Sequence, residues 1–84
     1  MLENSEKLLT LLSGVFKVDA RVINDETSPE NIDTWDSFNT LKMIMEIENE
    51  FKITLPLEDV VKIKSVKDIK TLLVTNGVPI DTKY

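Results

Sequence analysis

The chain has 84 residues, 15 acidic and 10 basic side chains, a formal charge of −5, and neither histidine nor cysteine. At 42% hydrophobic and 30% charged it has the make-up of an ordinary globular chain, with the length of one domain over residues 1–84. The acidic balance argues against nucleic acid and anionic membranes as partners, since both select basic patches. The missing residue types exclude disulfides, Ser-His-Asp and Cys-His catalysis and the commonest zinc ligands, so the chain is not expected to be an enzyme.

The first segment, MLENSEKLLTLLSGVFKV, carries acids near its start and no basic, uninterrupted apolar leader, so it does not read as a secretion signal. No apolar run approaches the length of a membrane span. A cytoplasmic location and no membrane insertion are the expectation. Leu8, Leu12, Val15 and Phe16 fall at helical spacing, and Leu9 and Leu11 widen the stripe, which predicts a helix over Leu2–Phe16 with Gly14 as a weak point inside it. From Val18 to Trp35 the pattern breaks into turn-forming Asn, Asp, Ser and Pro. So long a connection needs anchors, and Val22, Ile23, Ile32 and Trp35 are the candidates. A short helical turn is expected after Ser28-Pro29.

A second helix is predicted over Ser37–Phe51, with Phe38, Leu41, Ile44, Met45, Ile47 and Phe51 as its broad apolar face and Asn39, Lys42, Glu46, Asn49 and Glu50 toward solvent. Lys52-Ile53-Thr54-Leu55 alternates briefly, but Pro56 rules out a long strand. A short helix follows from Leu57 to about Ile63, with Glu58 and Asp59 at the positive end of its dipole. Ser65 and Asp68 come close to a capping box for a last helix that buries Val66, Ile69, Leu72 and Leu73 and stops near Gly77 and Pro79. The tail from about residue 78 is expected to fray. The fold class that follows is all-α: a small bundle of three main helices and one short one, with a long first loop.

Ser37 stands where that loop gives way to the second helix. It can be an N-cap, its hydroxyl accepting a backbone N–H, for about 0.5–2 kcal/mol. The same place suits a phosphate esterified to the hydroxyl, because a helix N-terminus offers free N–H groups and the positive end of the dipole. A loop–helix junction also leaves a hydroxyl open to a modifying enzyme.

Asp36-Ser37-Phe38, Glu48-Asn49-Glu50-Phe51, Ile53-Thr54-Leu55-Pro56 and Leu57-Glu58-Asp59-Val60, in this order and spacing, resemble the acyl carrier protein family over nearly the whole chain. The resemblance implies that Ser37 is the attachment residue for a 4′-phosphopantetheine arm donated by coenzyme A, whose thiol holds acyl or aminoacyl groups as thioesters. Asp36 would help present the serine to the phosphopantetheinyl transferase, the holo-carrier synthase. The implied partners are that transferase, an enzyme that loads the acyl or aminoacyl group, and a downstream synthase or transferase, all docking on a monomer. Phe38, Asn39, Lys42, Met45 and Glu46 are the candidate docking residues, with Phe38 equally able to pack under the loop. Met43 and Met45 could line a cavity for an acyl chain, though core packing is the plainer role.

The chain also departs from the family's pattern. Fatty-acid carriers commonly have acids just after the serine, where this chain has Asn39 and Lys42, and a small residue before the Asp, where it has Trp35. Its acids come later, at Glu46, Glu48 and Glu50. Lys62, Lys64, Lys67 and Lys70 outnumber the acids of the third region, and are either a solvated face or a docking surface. These differences favour a specialised biosynthetic pathway over housekeeping fatty-acid synthesis. The competing reading is a carrier-like adaptor without an arm, in which Ser37 is only a cap.

Overall fold

The structure, a computed structural model, describes residues 3–80. Among them are four helices and no strand: α1 (Asn4–Phe16), α2 (Ser37–Phe51), α3 (Leu57–Val60) and α4 (Val66–Thr75), with a 3-10 turn at Ala20–Val22 in the first loop. This is the expected all-α bundle. α1 starts at Asn4, and Leu2, the expected first residue, lies outside the described residues.

The core forms where the inward stripes meet. Leu8, Leu12, Val15 and Phe16 of α1, Met43, Ile44 and Ile47 of α2, and Val66, Ile69 and Leu73 of α4 are all buried together. Burial of each such side chain favours the fold by about 1.5–3 kcal/mol for the larger ones. On α2 the outcome differs from the sequence expectation. Met43 is fully buried, whereas Phe38, Leu41 and Met45 are 75%, 60% and 67% exposed. The apolar residues of α2 reach too far round the helix for one contact. At 100° per residue, Phe38, Leu41 and Met45 lie on a strip far from the one that carries Met43 and Ile47, and only the latter meets the bundle.

The first loop is held at both ends. Next to α1, Trp35 is buried and stacks on Phe16 with ring centroids 4.9 Å apart, and the Thr34 hydroxyl donates to the Phe16 carbonyl at 2.6 Å. Ile23 and Ile32 are buried as anchors, but Val22 is not; it is exposed on the 3-10 turn. After Ser28-Pro29 the chain makes a single turn, with Asn31 and Ile32 both donating to the Ser28 carbonyl. Next to α4, the Thr27 and Asp25 carbonyls accept the N–H groups of Val66 and Lys67 at 2.9 and 3.0 Å, and Lys70 Nζ pairs with Asp25 Oδ1 at 2.7 Å. The loop backbone therefore satisfies the first two of the free donors that a helix start leaves. The capping box expected at Ser65 does not form: its side chain makes no cap bond, and Asp68 Oδ2 accepts instead from the N–H of Lys64.

α1, α2 and α4 end alike. Val18, Ile53 and Val78 each send an N–H back five residues, to Ser13, Glu48 and Leu73, after a residue in the left-handed region: Lys17, Lys52 and Gly77. These are Schellman closures, and glycine suits the position best. α3 ends at Val60, short of the expected Ile63, although turn bonds run on to the N–H of Ile63. Nor does the chain fray at 78: Val78 is buried and the Pro79 carbonyl accepts from Asn4 Nδ2, while residues 81–84 of the expected frayed tail lie outside the described residues.

Candidate functional site at the head of α2

Asp36, not Ser37, is the N-cap of α2. Its backbone is extended and its Oδ1 accepts the N–H of Asn39 at 2.8 Å. The capping reading of the Ser37 hydroxyl is thereby corrected, since a carboxylate one residue earlier already does that work. Ser37 becomes the first helical residue. It is exposed, and its hydroxyl has no hydrogen-bond partner among the described residues.

The head of the helix is fixed around it. Trp35, two residues upstream, is buried against Phe16. Asn39 Nδ2 donates to the Thr34 carbonyl at 2.8 Å, and the Thr40 hydroxyl donates to the Asp36 carbonyl at 2.7 Å. A solvent-facing hydroxyl thus sits on a backbone whose neighbours on both sides are tied down. The N–H groups of Ser37 and Phe38 lack intrahelical acceptors and the dipole's positive end lies here, so a phosphodiester on Ser37 fits the site. No acid lies in the first turn of the helix itself.

The other expected site residues separate into two groups. Phe38, Lys42, Met45 and Glu46 are exposed on α2. Asn39 is half-buried, and its amide is engaged with Thr34, so its side chain serves the fold rather than the surface. Leu41 was counted as core but is exposed between Phe38 and Met45; its spacing of three and four residues from them is the signal that could have placed it there. Glu48 is also withdrawn from the surface acids, because its Oε2 accepts the N–H of Leu55 at 2.8 Å and pins the α2–α3 connection. The lysine cluster is likewise reduced: Lys70 is paired with Asp25, and Lys62, Lys64 and Lys67 remain exposed. Met43 is packed in the core and Met45 is at the surface, so the two methionines do not line one cavity. A hollow of about 510 Å³ lies between α1, the first loop and α4, over Leu8, Leu9, Leu12, Ile23 and Val66, and does not border Ser37.

Among the described residues no group of acids, histidines or cysteines could hold a metal, and no helix is long and apolar enough to cross a membrane.

Residues 6–73 match the family described as "Phosphopantetheine attachment site". An acyl carrier protein from Syntrophobacter fumaroxidans is 29% identical over 70 residues, which span 83% of this chain and 86% of that one. Among solved structures, the holo acyl carrier protein from Geobacter metallireducens is similar with a TM-score of 0.78 and 31% identity, covering 89% of this chain and 86% of that one. A candidate acyl carrier protein from Mycobacterium tuberculosis gives a TM-score of 0.76 at 25% identity, over 84% of this chain and 95% of that one.

The all-helical bundle is that of solved acyl carrier proteins. The chain belongs to the phosphopantetheine-attachment family, as an acyl carrier protein. Its cofactor is 4′-phosphopantetheine, on which the family carries acyl groups as thioesters. Such proteins are carriers rather than enzymes, and they work with phosphopantetheinyl transferases and acyl-handling enzymes.

Proposed function

We propose that Ser37 is the residue to which the arm is attached, and that the chain works as a discrete, monomeric, cytoplasmic carrier domain in a specialised biosynthetic pathway. The observation that carries the attachment is the division of labour at the head of α2: Asp36 caps the helix, and the adjacent hydroxyl is left exposed and unbonded. The arm, once attached, supplies the thiol that the protein itself lacks. Ser37 provides the oxygen that bonds to phosphorus, losing its proton as the pyrophosphate link of coenzyme A breaks and adenosine 3′,5′-bisphosphate leaves. Asp36 keeps the serine at the first helical position and has a second carboxylate oxygen free of the cap bond. Trp35, Thr34 and Asn39 hold the junction still while a partner reaches it. Phe38, Lys42, Met45 and Glu46 form the surface that partners meet first.

Support for a specialised pathway comes from the surface around the serine. Lys42 stands where fatty-acid carriers commonly place an acid, and Trp35 precedes the Asp. Charge at such a rim acts chiefly on encounter rate and partner choice. The cargo is accordingly a polyketide, peptidyl or other acyl or aminoacyl group outside bulk fatty-acid synthesis.

The test is intact-mass analysis after incubation with coenzyme A, magnesium and a broad-specificity phosphopantetheinyl transferase. The wild type should gain the mass of one arm and Ser37→Ala none. Failure of the wild type to gain mass with several active transferases would leave only the arm-free adaptor reading.

A further inference from the structure

We propose that the enzymes docking over the head of α2 meet it with an apolar groove edged by carboxylates, the inverse of a basic docking face. This deepens the proposal above and rests on Ser37 being the tether. Phe38, Leu41 and Met45 occupy positions i, i+3 and i+7, so they form one continuous strip that begins beside the hydroxyl. All three are mostly exposed, and the bundle's own contacts on α2 are made by Met43, Ile44 and Ile47, with Ile44 bordering the strip next to Leu41. Large apolar side chains concentrated in this way on a small surface mark a contact with another molecule.

The charge beside the strip decides which kind. From Ser37 to Met45 the only charged residue is Lys42. It is exposed, makes no ion pair among the described residues, and lies about 7.5 Å along the helix axis from the serine. Acids resume only at Glu46, and Glu48 is withdrawn into its bond with Leu55. Asp36, exposed at the cap with one oxygen accepting the N–H of Asn39, is the one acid next to the serine and precedes the strip rather than lying along it. Around α3 the apolar exposure recurs, with Leu57 and Val61 72% and 70% exposed, but the charge there is mixed: Lys62, Lys64 and Glu58 are exposed and Asp59 is half-buried. A partner offering arginines and lysines would set like charge against Lys42. One offering an apolar groove with carboxylates at its edge would match both features.

The enzyme that loads Ser37 has to cover this surface, so it is the probe. Its kcat/KM for arm transfer is measured at low salt and at high salt with the phosphopantetheinyl transferase of the organism that encodes the chain, alongside a transferase with a basic docking face. Lys42→Glu should lower kcat/KM with the first enzyme about tenfold at low salt, lose most of that effect at high salt, and raise kcat/KM with the second. Phe38→Ser should slow both and Phe38→Leu should restore them. Loading at Ser37 that is unchanged or faster in Lys42→Glu with the organism's own enzyme overturns the inference alone. A wild-type dimer dissolved by Phe38→Ser overturns it too, by assigning the strip to a second copy. If no enzyme loads Ser37, the tether itself is refuted and this inference goes with it.

Discussion

Two helices of this protein begin with serine, and the structure treats them in opposite ways. At the head of α4, Ser65 occupies the cap position, makes no cap bond, and has the loop carbonyls of Thr27 and Asp25 seated on the first amides. At the head of α2, the cap is Asp36, one residue upstream, and Ser37 stands outside it with a free hydroxyl. One helix start is closed by a distant part of the chain and the other is closed locally, by a short side chain that leaves its neighbour accessible. Neither hydroxyl has a hydrogen-bond partner among the described residues, but Ser65 is half-buried beneath the loop contact whereas Ser37 is exposed, so only Ser37 is offered as a handle.

The largest effect that can test this contrast is in arm loading. Ser37→Ala should reduce loading to nothing while changing unfolding free energy by no more than about 0.5 kcal/mol, because an uncapped surface hydroxyl contributes little. Ser65→Ala should leave loading at the wild-type rate. Detectable loading of the Ser37→Ala chain, read by tryptic mapping of the modified residue, would break the comparison at once.

The clasp on α4 comes next. The Asp25–Lys70 pair is more than two-thirds buried at both side chains. Asp25→Ala leaves Lys70 half-buried without its partner, and is expected to cost about 1–3 kcal/mol, between the range of a surface pair and that of a fully buried one. Hydrogen exchange at the amides of Val66 and Lys67 should accelerate, because the carbonyls that hold them would loosen with the loop. Loading of Ser37 should stay within about twofold, since the junction at α2 is secured separately by Trp35, Thr34 and Asn39. A large loss of loading would show that the two helix heads are not independent.

A smaller change is expected at the local cap. Asp36→Ala removes the bond to the N–H of Asn39 and should destabilise the protein by about 1 kcal/mol. It should also slow loading, because the first turn of α2 then frays beneath the hydroxyl. Asp36→Asn, which can still accept that N–H, should regain most of the stability. If loading recovers with stability, capping is the residue's main contribution; if it does not, the carboxylate charge contributes to presentation as well.

Much of this architecture was legible from residue spacing, and the parts that were not share a cause. The limits of α2 followed from Asp36-Ser37 at one end and Phe51 at the other, and the inward stripes of α1 and α4 followed from their period. Local pattern cannot say which of two adjacent polar residues closes a helix, since Asp and Ser both suit the position. Nor can it see that carbonyls of residues 25 and 27 close a helix that starts at 66, because backbone-to-backbone bonds leave no mark on side-chain identity. Leu41 was misplaced for a related reason: periodicity reports that a residue is apolar at helical spacing, not that the bundle covers it. The candidate site was legible through the ordered motifs that resemble the family; a hydroxyl beside an acid at a helix start permits an attachment there but does not by itself single one out.

The least of the expected effects concerns the other ends of the helices. Lys17 and Lys52 hold left-handed backbone with φ of 57° and 58°, the role that Gly77 fills at the end of α4. A side chain bearing Cβ is strained there by about 1 kcal/mol relative to glycine. Glycine at the same place would give back part of that gain through the greater freedom of the unfolded chain. Lys17→Gly and Lys52→Gly should therefore each raise stability by a few tenths to about 1 kcal/mol, seen as a higher denaturant midpoint with an unchanged slope. Both positions lie far in sequence from Ser37, and neither should alter loading. Destabilisation by either would mean that the lysine side chain makes a contribution beyond its backbone conformation. At Lys52 that contribution would have to act on the α2–α3 connection that Glu48 holds through Leu55.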